Sequence, residues 1–386
     1  MQVLRKLPLI SLALIGLCAS ASLAQAASTE PGIDAVVHTA ATRVMQEYAI
    51  PGLAIALSVE GKPRFYSFGV ASKDTAAGVT PDTLFEVGSV SKVFTAILAA
   101  QAQGQGLLSL TNSIETYLPE LQGTPLGKVP LIHLATHTAG GFPLQLPDSV
   151  QNPRQLMAYF KEWKPTYAAG SQRSYANPSI GLLGMITANR MQQPYVQAVE
   201  QQLFPALGLK NSYIDVPASK MALYAQGYDK KNQPVRLNAG LLGNEAYAVK
   251  TSARDLLHFT ELNMGLGNVA EPLRQAMADT RTGYFQVGPM TQDLIWEQYP
   301  YPATLKALEE GNSNTMAYEN NPAIALDPPL PPQQAVWINK TGSTNGFGAY
   351  VVFVPEHRQA VVILANKNYP NAARVELAHA IFNALN

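Results

Sequence analysis

Ser89 and Lys92 lie three residues apart in Phe85-Glu-Val-Gly-Ser-Val-Ser-Lys92, directly before an Ala-rich apolar stretch that runs to Ala100. A serine hydroxyl is a poor nucleophile until something takes its proton, and a desolvated lysine amine can take it or relay it. The β-like apolar run ending at Gly88, followed by a helical pattern, puts Ser89 at the mouth of a helix. Free backbone N–H groups and the positive end of the helix dipole there favour developing negative charge. Lys92 then stands one turn up on the same face. Apolar residues flank Lys92 on both sides, which predicts a buried helix in which a charged lysine needs a partner or a task. The bland alternative, a capping serine followed by a surface lysine, fits most isolated Ser-x-x-Lys pairs.

Such a nucleophile needs a proton shuttle, an oxyanion hole and groups that orient substrate. Tyr175-Ala-Asn177 offers the first, in a loop that enters a helix over residues 180–191. A phenol serves as a base only if nearby cations lower its pKa, as Lys92 would. Asn177 brings an amide donor and acceptor. Tyr-x-Asn recurs at Tyr318-Glu-Asn320 and Tyr369-Pro-Asn371, so the pattern alone is weak. Lys340-Thr-Gly-Ser343 leads through Thr344-Asn-Gly346 into an apolar strand, which predicts a position along a sheet edge. Gly342 permits close backbone approach of a ligand. The N–H of Ser343 can then join that of Ser89 as a two-donor oxyanion hole, with Lys340 and Thr341 meeting a substrate carboxylate. Arg281-Thr-Gly283 has the same shape, but no comparable strand is expected after it.

The elements that must position these residues are readable at both ends of the chain. Residues 33–48 carry helical periodicity; residues 53–59 and 64–70 flank a Glu60-Gly-Lys62 turn as a hairpin. A second hairpin, 347–354 with 360–365, and a final helix over 372–385 mirror this. The expected fold is α/β (α+β): an antiparallel sheet from both chain ends, flanked by helices, with a mostly helical region inserted. Expected divisions are a signal segment at 1–26, an α/β domain from 27–104 and 192–386, and a helical domain at 105–191.

Composition is that of an ordinary globular chain: 386 residues, 47% hydrophobic, 14% charged and formally neutral. It points to neither nucleic acid nor an anionic surface as partner. Arg5 and Lys6, the apolar residues 7–17 and Ala24-Gln-Ala26 read as a cleaved signal peptide. Its removal takes the only cysteine, Cys18, and leaves 25 basic against 27 acidic residues. The mature protein is then expected in the periplasm, free of thiol chemistry and of a membrane anchor, as a monomer.

Taken in order, Ser89/Lys92, Tyr175/Asn177 and Lys340/Thr341/Gly342, separated by 86 and 165 residues, resemble the motifs of class C serine β-lactamases within the penicillin-recognising acyl-transferases. The resemblance covers essentially the whole mature chain. It includes Ala139-Gly-Gly-Phe-Pro-Leu-Gln145, Glu245-Ala-Tyr247 and the run from Leu364 to Arg374. It implies hydrolysis of the β-lactam amide, of cephalosporins especially, through an acylated Ser89, with Lys92 and Tyr175 handling protons. It also implies that Gln145 and Asn177 grip the acylamide side chain, that Tyr247 forms an aromatic wall, and that Lys340, Thr341, Asn371 and Arg374 serve the substrate carboxylate. No cofactor and no metal are implied. Val93, His137 and Phe142 depart from common family residues and bear on substrate spectrum.

A class A enzyme would need an acid where Phe259 stands in Phe259-Thr-Glu-Leu-Asn263. His133 and His137 share helical spacing, but Leu134 replaces the glutamate of a zinc-protease motif. Gly-x-Ser-x-Gly is absent. Beside the β-lactamase, two readings stay open: a D,D-peptidase or esterase on the same site, and a penicillin-binding sensor that remains acylated.

Overall fold

The computed structural model describes residues 32–385 together with Gln2. The expected signal segment lies outside the described residues. Among them, nine strands form one sheet in the order Ile324–Leu330, Gly283–Val287, Met290–Gln292, Glu297–Pro300, Val336–Ser343, Gly348–Val354, Gln359–Ala365, Gly52–Val59 and Lys62–Gly69, with every neighbouring pair antiparallel. The two hairpins expected from the chain ends meet where Leu53 opposes Ala365.

The central strands are continuous apolar runs because both their faces are covered. Tyr350, Val352, Val361, Ile363, Leu53 and Ile55 pack on one face beneath the terminal helices Ile33–Tyr48 and Asn371–Leu385. Val351, Phe353, Val362, Leu364, Ala54 and Ala56 face the larger core on the other side, shared with the helix Ala253–Asn263 and the inserted helices. The period-2 alternation of strand side chains thus sends each run into two cores.

Two expectations need correction. The sheet draws four further strands from 283–330, and one of them, Gly283–Val287, follows Arg281-Thr-Gly283 directly. The Lys340 strand is also not a sheet edge but the fifth of nine. Only its end is free on one side: Glu297–Pro300 pairs with Val336–Asn339, whereas Lys340 to Ser343 pair only with Val351 to Gly348 on the other flank. A central strand that outruns its neighbour offers rigidity and an open backbone edge together.

The helix Ser91–Gly104 is buried nearly all round, as its composition requires. It packs against the helices Asn177–Arg190 and Glu271–Asp279. No helix among the described residues is long and apolar enough to cross a membrane.

Candidate active site

Strand Leu84–Glu86 hands the chain to a 3-10 turn, Gly88–Val90, which runs straight into the helix Ser91–Gly104. Gly88 adopts φ +49°, and a Cβ there would lie 2.5 Å from the backbone N of Ser343. A Cβ on Gly342 would lie 1.9 Å from the Val87 carbonyl oxygen and 3.0 Å from the backbone N of Ser89. Two glycines therefore let the nucleophile turn and the Lys340 strand touch backbone to backbone. That contact brings the Ser89 and Ser343 amides to one place.

The Lys92 ammonium is fully buried. It donates to Ser89 Oγ at 2.8 Å and to the carbonyl of Ala246 at 2.9 Å. Burial lowers its pKa to about 8, with Lys340 pulling the same way and Tyr175 opposing. The Tyr175 ring lies between two ammonium groups, 5.1 Å from Lys92 Nζ and 5.1 Å from Lys340 Nζ. Burial alone would raise the phenol. The charges of Lys340 and Lys92, helped by the Ser89 hydroxyl, outweigh it and bring the pKa down to about 8. The Tyr175 hydroxyl is itself buried and makes no hydrogen bond of normal geometry.

Two residues that sequence reasoning missed complete the charge pattern. Lys340 Nζ stands 3.5 Å from Glu297, which pairs at 2.9 Å with the buried Arg173. Gln292 and the Met316 carbonyl take the other Arg173 donors at 2.6 and 2.8 Å, and Asn339 donates to Glu297 at 3.3 Å. The available signal was an arginine two residues before Tyr175 and an acid closing the apolar run Leu294-Ile-Trp296, which Asp293 opens.

A cavity of about 590 Å³ opens over these groups. Of the residues singled out from sequence, Ser89, Gln145, Tyr175, Asn177, Tyr247, Lys340, Thr341, Gly342, Ser343 and Asn371 line it. Lys92 lies beneath, bonded to Ser89. Arg374 does not reach the cavity wall. It is fully buried behind the strand, donating to the carbonyls of Gly342 (2.8 Å), Ala349 (3.3 Å) and Tyr369, to Ser343 Oγ (3.0 Å) and to Asn368 (2.7 Å). Direct contact with a substrate carboxylate is corrected to support of the strand end, because the guanidinium is buried and its two terminal nitrogens are bonded to backbone carbonyls and to Ser343 and Asn368.

The paired histidines serve packing. His133 bonds to Thr138 at 2.8 Å, and His137 lays its ring 4.4 Å from that of Tyr175 while accepting the Ala176 N–H at 3.3 Å. His137 thus touches Tyr175 itself, inside the cluster of Ser89, Lys92 and Lys340 rather than at its rim. Burial and the neighbouring cations hold it neutral, well below the usual histidine range. Val93 lies in the core, and Phe142 stacks on Trp163 at 4.4 Å. Among the described residues no group of three or more His, Cys, Asp or Glu is placed to hold a metal ion.

Comparison with known proteins agrees with this geometry. The family model described as Beta-lactamase matches residues 37–386. A Lysobacter lactamgenus protein named Beta-lactamase is 49% identical over 94% of this chain and 95% of its own length. A Pseudomonas syringae structure titled Beta-Lactamase/D-Alanine Carboxypeptidase is 57% identical, covering 91% of this chain and 98% of that one, with a TM-score of 0.90. A class C beta-lactamase structure solved with cefoxitin is 48% identical over 91% of this chain and 98% of its own, with a TM-score of 0.89. With a family model spanning nearly all of the described residues and close relatives matched along almost their full lengths, the chain belongs to the beta-lactamase family, among its class C members.

Proposed function

We propose that this enzyme opens β-lactams by the following residue roles. Ser89 Oγ attacks the lactam carbonyl carbon as its proton passes to the Lys92–Tyr175 pair. The oxygen becomes an oxyanion held by the N–H groups of Ser89 and Ser343. The C–N bond breaks, and the same pair returns the proton to the departing ring nitrogen. Water, deprotonated by Tyr175 or Lys92, then attacks the ester carbonyl, the C–Oγ bond breaks, and the proton passes to Ser89 Oγ, which frees the serine and the ring-opened acid. Lys340, Thr341 and Asn371 receive the substrate carboxylate, with Arg374 holding the end of the Lys340 strand. Gln145, Asn177 and Tyr247 contact the acylamide side chain.

The observation that carries this reading is the 2.8 Å contact of Lys92 with Ser89, beside a phenol flanked by two ammonium groups. Preference for cephalosporins rests on the resemblance alone. Residence in the periplasm rests on the reading of residues 1–26 as a signal peptide.

The Pseudomonas syringae relative, described also as a D-alanine carboxypeptidase, favours a second reading, in which the same site also removes a terminal D-alanine. One experiment separates the possibilities. Purified protein mixed with a chromogenic cephalosporin is expected to turn over many times per Ser89, and Ser89→Ala is expected to lose all covalent labelling by a fluorescent penicillin. Slow turnover with release of D-alanine from an acyl-D-Ala-D-Ala peptide supports the peptidase. A single stoichiometric burst supports the sensor. Persistent labelling of Ser89→Ala moves the nucleophile elsewhere.

A further inference from the structure

Glu86 is a buried carboxylate that the proton route leaves unused. It is 1% exposed and ends the strand that delivers Ser89. A carboxylate so placed is costly unless its lone pairs are engaged. Three donors from three segments engage it. Oε1 accepts the Tyr224 hydroxyl at 2.6 Å and the Leu237 N–H at 2.7 Å, while Oε2 accepts the Thr344 hydroxyl at 2.6 Å. Lys250, opposite Glu86 in the strand register, supplies countercharge.

Leu237 and Thr344 both line the main cavity, in the wall 235–238 and in the turn after Ser343. The wall has few other supports. Pro234–Val235 pairs with the two-residue strand Gly227–Tyr228. Arg236 lies 4.2 Å over the Tyr224 ring and donates to the carbonyls of Tyr224 and Ala225 at 2.7 and 3.3 Å. Since Tyr224 is itself tied to Glu86, the carboxylate anchors the wall twice, directly at Leu237 and through the Tyr224–Arg236 stack.

We infer that Glu86 is a positioning residue that fixes the spacing between the wall 235–238 and the Ser343–Thr344 strand end, and so limits the bulk of the acyl side chain a substrate can carry into the cavity. This rests on the reading of the cavity as a β-lactam site. A hydrogen bond to a charged acceptor that joins loop to strand is stiff, and its loss lets the less supported side move.

The test compares kcat and KM for two cephalosporins that differ only in acyl side chain, one compact and one bulky and branched. In Glu86→Ala the bulky-to-compact ratio of kcat/KM is expected to rise about tenfold, mainly through KM. Glu86→Gln is expected to keep the wild-type ratio, because an amide can accept from Tyr224 and Leu237 and donate to Thr344. Tyr224→Phe, which removes one donor and little volume, is expected to shift the ratio the same way by about twofold to fivefold, and decides the matter if Glu86→Ala does not fold. A folded Glu86→Ala or Tyr224→Phe with an unchanged ratio overturns the inference. Amide exchange gives a substrate-independent reading: the Leu237 N–H is expected to exchange at least about 100-fold faster in Glu86→Ala, or severalfold faster in Tyr224→Phe, with the strand Gly348–Val354 unaffected. Wild-type protein that turns over neither compound overturns the β-lactam reading, and the exchange rates still decide the role of Glu86.

Discussion

Tyr175→Phe separates the two candidate bases because the structure predicts opposite outcomes for them. A phenol of ordinary pKa is about 0.1% ionised at pH 7, and one at about 8 is about 10% ionised. The flanking charges thus raise the phenolate population about 100-fold. The substitution deletes that base and keeps the ring, with its 4.4 Å contact to His137 and its place between Lys92 and Lys340. A positioned general base contributes roughly 10²–10⁴ in rate, equivalent to about 2.7–5.5 kcal/mol of barrier. The same change removes a group that holds the Lys92 pKa up, so in the variant more Lys92 is free amine at neutral pH. If Lys92 alone takes the Ser89 proton, acylation of Tyr175→Phe equals or exceeds that of the wild type. If Tyr175 takes it, acylation falls by at least about 100-fold. Stopped-flow acylation at pH 7 measures the step directly, and an unchanged thermal midpoint certifies the fold, since the lost hydroxyl makes no normal hydrogen bond. An acylation rate within tenfold of wild type refutes Tyr175 as the base.

Two further outcomes follow from the same geometry. Because Lys92 and Tyr175 both titrate near 8 and are active in their deprotonated forms, kcat/KM is expected to rise with pH through about 8 as the coupled pair loses a proton; a profile flat from pH 6.5 to 9 contradicts it. Arg374→Ala strands the acceptors of Gly342, Ala349, Tyr369 and Asn368 in the interior and is expected to cost about 3–5 kcal/mol in denaturant unfolding; a loss under about 1 kcal/mol means its support of the strand is dispensable.

The legibility of this chain in its sequence follows the range of the interactions involved. Ser89 and Lys92 were readable because one helical turn fixes their relation, and the terminal hairpins because their apolar runs and turns are contiguous. The strands at 283–300 were not, since Gln286, Gln292, Glu297 and Gln298 break the apolar pattern. Three of these, Gln292, Glu297 and Gln298, are buried, and the partners of Gln292 and Glu297 come together only in the assembled sheet. Glu297 and Arg173 belong to the same class: their pairing spans 124 residues. Arg374 shows the opposite failure. The resemblance implied that it serves the same carboxylate as Lys340, but which side of the strand a guanidinium occupies depends on the carbonyls that surround it, and no local pattern encodes that.

The charge count at the site explains why a buried phenol can do base chemistry there. Lys92, Lys340 and Arg173 carry three positive charges against the single carboxylate of Glu297, a formal excess of two with Tyr175 neutral. Such an excess in a cavity partly shielded from water is costly. Two events reduce it: ionisation of Tyr175, and arrival of an anionic substrate whose carbonyl becomes an oxyanion. These events compete, because each negative charge that enters weakens the field that lowers the phenol. A carboxylate seated at Lys340 therefore raises the basicity of Tyr175 just as the Ser89 proton must be taken. Glu297 moderates that excess: without it the excess would be three, and the phenol would be held lower still. The pair Arg173–Glu297, which lines the cavity beside Tyr175 and Lys340, thus belongs to the charge balance that tunes the phenol.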